Sequence, residues 1–298
     1  MTGLSVLGII GGSGLYEMAG LDDVERVSLD TPYGAPSDSY TLGTFEGRRL
    51  AFLPRHGTGH RISPSELNFR ANIHGFKQLG ADAVVSVSAV GSLREDIAPG
   101  HVVVPDQFID RTRGRISTFF GEGVVAHVSF ADPFCPVLMP LAAACGREAG
   151  ATIHEGGTYI CMEGPQFSTR AESHMYRSWG GTVIGMTNLQ EAKLAREAEI
   201  CFVTLAMATD YDCWRSDEES VEIEDVLRVL QANSELARDV VRRIAGRVDA
   251  GRECGCRRAL DGAVITDPST IEASRLAELE HIAGRVLNSG SKREESTT

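Results

Sequence analysis

A chain of 298 residues, 42% hydrophobic and 23% charged, is long enough to bury a core in one large or two small domains. Its net charge of -12 argues against nucleic acid as the main partner, because phosphate backbones select basic faces; a local basic pocket for a small anion stays possible. No apolar run approaches the ~20 residues of a membrane span, and the first residues lack the basic start and cleavage site of a secretory signal, so a cytoplasmic protein with no membrane partner is expected.

Leu4 to Ile10 reads as a buried strand running into Gly11-Gly12-Ser13-Gly14, a loop whose small residues let backbone N–H groups approach an anion. Glu17 stands where a dinucleotide fingerprint needs a third small residue, so that motif fails. A second strand, Arg48 to Pro54, ends in Arg55-His56-Gly57, a cation and an imidazole able to hold a phosphate or simply to face solvent. His56 and His60 have helical metal-pair spacing, but the intervening glycines and the missing Glu argue against a metal. Ser63-Pro64-Ser65-Glu66 predicts a helix start, with the helix running to about Leu79.

Ala83 to Val90 predicts a β-branched strand with Ser86 and Ser88 on one face, ending in Ala89-Val90-Gly91-Ser92. Val102 to Pro105 is a short strand. Asp106 to Val125 reads as loop, with Arg111, Arg113 and Arg115 as a solvated cluster. Beyond His127, Asp132-Pro133 predicts a helix to about Ala149. A strand from Gly157 to Met162 leads into Glu163-Gly164-Pro165-Gln166-Phe167-Ser168, then a capping box at Thr169 and Glu172. Thr182 to Met186 is a strand ending at Thr187, followed by a helix from about Leu189 to Glu197.

Ile200 to Ala208 reads as a fully buried strand ending in Thr209-Asp210-Tyr211-Asp212-Cys213-Trp214. Two carboxylates at the end of a buried strand are costly to desolvate, and ligands of open α/β sheets sit at strand carboxyl ends. Asp210 and Asp212 therefore either face a nitrogenous ligand or lie in a solvated turn. A long amphipathic helix, about Val221 to Val248, follows; Val221, Ile223 and Val226 lie nearest the Asp pair. A helical segment from Ser269 to Leu287 ends the fold, and Ser289 to Thr298 is expected to be a disordered tail. Strands and helices alternate without repeats, which predicts one α/β domain over residues 1–288 with a parallel or mixed sheet. The cysteines at 135, 145, 161, 201 and 213 stand singly, most in apolar runs, as reduced core thiols do; Cys254 and Cys256 form a close pair.

Taken in order, Gly11-Gly12-Ser13-Gly14-Leu15, Pro54-Arg55-His56-Gly57, Ala89-Val90-Gly91-Ser92-Leu93, Asp106 to Thr112, Glu163 to Ser168 and Thr209 to Trp214 resemble the trimeric class of purine nucleoside phosphorylases, over about residues 4 to 245. The resemblance implies a mixed central sheet or distorted barrel flanked by helices, a homotrimer or a dimer of trimers, and no metal or organic cofactor. It implies cleavage of a nucleoside by inorganic phosphate, the co-substrate, to a free base and a ribose-1-phosphate. It assigns phosphate to Ser13, Arg55, His56, Ser88, the Ala89 backbone and Thr187, the sugar to Met186 and Phe167, and the purine to Asp210 and Asp212. His127 is expected to reach a neighbouring subunit's site.

Within the class, an exocyclic 6-amino donor wants a carboxylate acceptor, so the Asp pair favours a 6-aminopurine over inosine or guanosine. Apolar Val221, Ile223 and Val226 suit a methylthio group at the sugar 5′ end, with Ser168 a further specificity residue. S-methyl-5′-thioadenosine is the expected substrate, and 5′-deoxyadenosine should fit too, since an apolar pocket rejects an added hydroxyl only about 10²-fold. Gln190 and Gly185 depart from the Pro and Asn of some relatives, leaving the loop around Thr187 open. Comparison with thermophilic relatives raises a disulfide for Cys254 and Cys256, but two thiols are favoured. A 6-oxopurine phosphorylase, a non-catalytic nucleoside binder and a dinucleotide oxidoreductase are the alternatives.

Overall fold

The computed structural model describes residues 5–12, 15, 18, 20–215 and 223–291. Along the chain run β1 (Val6–Gly11), β2 (Asp22–Val27), β3 (Tyr40–Phe45), β4 (Arg48–Pro54), α1 (Phe69–Gln78) and β5 (Ala81–Ser92). Then come β6 (Val102–Val104), β7 (Gln107–Arg111), α2 (Leu138–Glu148), β8 (Ile153–Glu155), β9 (Thr158–Met162) and α3 (Arg170–Ser178). β10 (Gly181–Gly185), α4 (Asn188–Glu197), β11 (Cys201–Asp210), α5 (Ile223–Arg247) and α6 (Ala273–Ser291) complete them.

The strands form one mixed sheet that branches at β5. β5 is the longest strand, with valines and serines alternating along a nearly continuous buried run. It pairs in parallel with β1 on one side and with β11 on the other. Its last two residues, Gly91 and Ser92, turn aside to pair antiparallel with β10. β10 carries β9 and β7, and β11 carries β6 and β8. A register shift between Ala208 and Asp210 opens the β5–β11 seam at its carboxyl end. One apolar layer, including Phe76, Phe119, Phe202 and Ile282, packs under α1, α4 and α6. Another, including Leu7, Val85, Val203 and Ile244, packs under α2 and α5.

The mixed α/β expectation is met, with local differences. α1 begins six residues after Ser63, because Asn68 caps it: its Oδ1 accepts from the Ala71 N–H at 3.1 Å. Ser63 and Glu66 instead close a single turn on each other. α2 begins at Leu138, not Asp132, because Pro136 disfavours a helical Cys135, whose N–H donates to the Phe202 carbonyl at 2.9 Å. Part of the expected loop at 106–125 is β7, paired in parallel with β9. β2, β3 and β8 are further strands; the exposed, polar β2 is an edge that shows no apolar period. α6 extends to Ser291, past the expected end at Leu287, and residues 292–298 lie outside the described residues.

Candidate active site

The carboxyl ends of β1, β4, β5, β10 and β11 supply most of the candidate residues. Arg55 follows β4, and its N–H donates to the Gly11 carbonyl at the end of β1 at 2.8 Å. Its side chain is buried. The guanidinium forks onto Glu191 of α4 through Nε and Nη2, donates from Nη2 to Ser86 Oγ at 2.7 Å and from Nη1 to the Val87 carbonyl at 3.0 Å. Glu191 is fully buried, and Ser86 Oγ donates to it at 2.8 Å. Asn188 donates to Ser86 at 2.9 Å and accepts from Thr204 at 2.8 Å. A planar fork matched to a carboxylate fixes the guanidinium in one orientation, leaving a second Nη1 N–H for a ligand.

Ser88 lies one turn of the pleat further along β5, its hydroxyl 3.0 Å from Tyr159 Oη. Gly185 makes this contact possible: a Cβ there would meet Tyr159 Oη at 1.9 Å. Ala89 is the one exposed residue inside β5, between the buried Ser88 and Val90. Thr187 caps α4 with its side chain free of a capping bond, so the positive end of α4 points where Thr187 sits. His56 holds Nδ1 against the Ile62 carbonyl at 2.8 Å and stacks on His60 at 4.3 Å. A carbonyl can only accept, so Nδ1 carries the proton and Nε2 a lone pair. Burial, aided by the Arg55 charge, pushes the His56 imidazole down to about 4, so it is neutral at pH 7.

About 10 Å further along β5, three residues at ~3.3 Å each, Gly91 faces the acid pair. A Cβ at Gly91 would meet Asp210 Oδ1 at 2.9 Å and Asp212 Cβ at 3.3 Å, so the missing side chain seats both acids. Asp210 accepts from Thr209 Oγ1 at 2.7 Å and from the Asp212 N–H at 2.7 Å. Burial raises the Asp210 carboxyl above its usual range, with those two bonds pulling partly back. Asp212 has φ of 53°, a left-handed conformation that Asp tolerates better than most residues. Burial raises its carboxyl too, and the Asp210 charge adds to the rise. The Ser173 hydroxyl draws it partly down but lies outside hydrogen-bond geometry, and among the described residues Asp212 Oδ2 is buried with no partner. A buried acceptor left open can take a donor, either from the equally unpartnered Ser173 hydroxyl or from a ligand. Trp214 fastens this loop to β5, its Nε1 donating to the Ser92 carbonyl at 2.8 Å.

Arg115 corrects the solvated reading of its cluster. Arg111 and Arg113 are exposed, but the Arg115 side chain is 3% exposed. It donates to the Glu163 and Met186 carbonyls, and at 3.2 Å to Glu163 Oε1. That ties the 163–168 loop to Met186, whose sulfur packs on Gly164. Gln190, in the first turn of α4, joins Arg115 at 3.3 Å and Thr112 at 2.8 Å. The Ser168 carbonyl accepts from Cys213 Sγ at 3.2 Å, so this loop borders the Asp pair.

Other candidates fall elsewhere. Ser13 and Val221 lie outside the described residues, as do the side chains of Ile223 and Val226, although both residues belong to α5. Phe167 is 58% exposed and packs in none of the buried clusters. His127 is exposed, its N–H donating to the Ala263 carbonyl at 2.9 Å, and lines a surface hollow with Arg196 and Arg258 instead of meeting the strand ends. Glu191, Asn188 and Tyr159 are site residues that pattern reading missed. The one signal for Glu191 is an acid among residues that the helix buries nearly all round.

The branched mixed sheet thus sets a buried guanidinium after β4 near Ser86 and Ser88 of β5, and an acid pair at the end of β11 against Gly91 of the same β5. The Phosphorylase superfamily profile matches residues 6–245, and the chain belongs to that family. It is 56% identical over 280 residues to the S-methyl-5′-thioadenosine phosphorylase of Geobacter sulfurreducens, covering 94% of this chain and 98% of that one. It is 57% identical over 279 residues to the enzyme of the same name from Koribacter versatilis, covering 94% and 96%. A crystal structure of methylthioadenosine phosphorylase from an antarctic soil metagenomic library superposes with a TM-score of 0.89 at 46% identity, covering 93% of this chain and 98% of that one. The Schistosoma mansoni methylthioadenosine phosphorylase in complex with adenine superposes at 0.82 with 33% identity, covering 87% and 99%.

Proposed function

We infer that this chain cleaves S-methyl-5′-thioadenosine with inorganic phosphate, giving adenine and 5-methylthioribose-1-phosphate in purine and methionine salvage. The observation that carries the purine half is the open, buried Asp212 Oδ2 beside Asp210 on Gly91; the names of relatives above 50% identity support the rest. Phosphate takes the other end of β5. It meets the spare Arg55 N–H, the Ser88 hydroxyl, the Ala89 backbone, Ser13 and the Thr187 helix end. His56 Nε2 accepts from a phosphate O–H.

As the N-glycosidic bond stretches, the sugar gains cationic character and the purine gathers electrons. A protonated Asp210 delivers its proton to the leaving base at N7, and Asp212 accepts from the exocyclic amine. A buried carboxyl with a raised pKa is suited to hold that proton near neutral pH. Phosphate, held on the opposite side of C1′, stabilises the cation and forms the new C–O bond. The ~10 Å along β5 between Ser88 and Gly91 accommodates the ribose, with Met186 and Phe167 against it. Val221, Ile223 and Val226 receive the methylthio group, and 5′-deoxyadenosine is a second substrate.

The working form is a homotrimer or a dimer of trimers in the cytoplasm, with His127 at a subunit contact and no metal or organic cofactor in the reaction. Among the described residues no helix is long and apolar enough to cross a membrane. The deciding assay is chromatographic release of free base from methylthioadenosine, 5′-deoxyadenosine and inosine, with and without phosphate. Phosphate-dependent adenine release is expected; preference for inosine, or binding without base release, overturns the reading.

A further inference from the structure

At the opposite end of β11 from the acid pair, four cysteines converge from three separate segments. Cys135 precedes α2, Cys201 opens β11, and Cys254 and Cys256 flank Gly255 in the turn after α5. Nine residues of strand, about 30 Å at ~3.3 Å each, separate Cys201 from Asp210, so the cluster takes no part in the phosphorolysis. All four sulfurs lie within 4.8 Å of one another. Cys135 Sγ is 3.8 Å and Cys201 Sγ 3.3 Å from Cys254 Sγ. Three of the four residues are buried, and Cys254 is half-buried.

These spacings discriminate between the uses of four thiols. A disulfide needs sulfurs at about 2.0 Å, and every cysteine here is free. A tetrahedral Zn²⁺ with Zn–S bonds of about 2.3 Å sets its sulfurs about 3.8 Å apart along each edge. The two separations from Cys254, 3.3 and 3.8 Å, lie near that edge, and no pair of the four sulfurs is more than 4.8 Å apart. The surroundings suit thiolates as well. Arg252, whose side chain is 2% exposed, donates from Nε to Cys201 Sγ at 3.2 Å. Outer N–H···S bonds of this kind orient metal ligands and spread their charge.

From this convergence the geometry points to a structural zinc site formed by Cys135, Cys201, Cys254 and Cys256. Binding releases the four thiol protons to solvent and leaves a tetrathiolate carrying two negative charges, which Arg252 partly offsets. The half-buried Cys254 gives the ion its way in. The site staples the turn after α5 to the start of β11 and to the entry of α2, where the C-terminal part of the chain joins the sheet.

The test is made first on the unmodified protein. Purified under thiol-reducing conditions with zinc supplied, it should hold about one zinc per chain by mass spectrometry of metals. Cobalt should replace that zinc with the thiolate charge-transfer and d–d spectrum of a tetrahedral site. Removing the metal with a chelator should lower Tm by roughly 10 °C or more. Cys254→Ser and Cys256→Ser should each lose the stoichiometric zinc, whereas Cys145→Ser, a buried cysteine outside the cluster, should keep it. Reduced, zinc-treated protein that carries under about a tenth of an ion per chain overturns the site. So do disulfides among the four cysteines in that preparation, and stoichiometric iron overturns the metal assignment.

Discussion

Glu191→Gln tests whether the buried ion pair sets the anion end of the site. Glu191 accepts from Arg55 Nε, from Arg55 Nη2 at 3.0 Å and from Ser86 Oγ at 2.8 Å. Glutamine keeps the shape but replaces one acceptor oxygen with a donor. Ser86 cannot absorb the change by rotating, because its oxygen already accepts from Arg55 Nη2 and Asn188 Nδ2. The loss of charge weighs more than the lost acceptor. With Glu191 fully buried and Arg55 3% exposed, neutralising one partner leaves an uncompensated cation out of water. That costs about 3–5 kcal/mol, a drop in Tm of roughly 6–20 °C for a chain of this size. The freed guanidinium no longer sits in one orientation, so KM for phosphate should rise several-fold more than KM for the nucleoside. Thermal unfolding and two-substrate kinetics read both effects. A variant within about 2 °C of the parent, with KM for phosphate unchanged, would refute the positioning role.

Asp210→Asn keeps the bonds from Thr209 and the Asp212 N–H within reach of an isosteric group, so folding should hold while turnover falls about 10²–10⁴-fold; unchanged kcat would remove the acid role. Gly185→Ala places a methyl where the Tyr159 hydroxyl lies. It should cost about 1–3 kcal/mol by overpacking and weaken phosphate binding through the displaced Tyr159–Ser88 contact, measured as KM for phosphate. His74 is fully buried, and burial followed by the nearby His281 pushes its imidazole from 6.5 down to about 4. The unfolded chain therefore binds a proton between those values that the folded one refuses. The associated stability is complete above pH 6.5 and is lost as pH falls toward 4, by about 3 kcal/mol. Denaturant titrations across that range should show the slope, and His74→Leu should flatten it.

The parts of the site that sit on strand ends were legible because a buried strand announces itself by its apolar run. A charged or small residue just beyond such a run has little choice of position. That logic placed Arg55, Thr187 and the Asp pair at strand ends, whereas Ser88 lies within β5 and was marked by its alternation with valines. It failed for Glu191, since an acid in the first turn of a helix is what the helix dipole favours at a surface, and nothing local says that α4 is buried on nearly every side. Arg115 was misread for the same reason: its partners are the carbonyls of residues 163 and 186, distant in sequence. The edge strand β2 is exposed along most of its length and so carries no alternation to detect. The cysteine cluster was invisible because two of its members look like ordinary core thiols until the fold brings them to Cys254 and Cys256.

The acid pair divides its labour through electrostatics that run one way. The rise at Asp210 comes from burial alone, whereas Asp212 is raised by burial and further by the charge of Asp210. Asp212 must be ionised to accept from an exocyclic amine, so adenine binding should fail as pH falls through its raised pKa. The acid role requires Asp210 to keep its proton wherever Asp212 titrates, so Asp210→Asn removes no charge beside Asp212. The acidic limb of adenine affinity should then stay in place in the variant. Calorimetric titration of adenine from acid to neutral pH, in parent and variant, reads the limb directly. A limb that moves to lower pH would mean that Asp210 is ionised where Asp212 titrates, and its role as the acid would have to be abandoned.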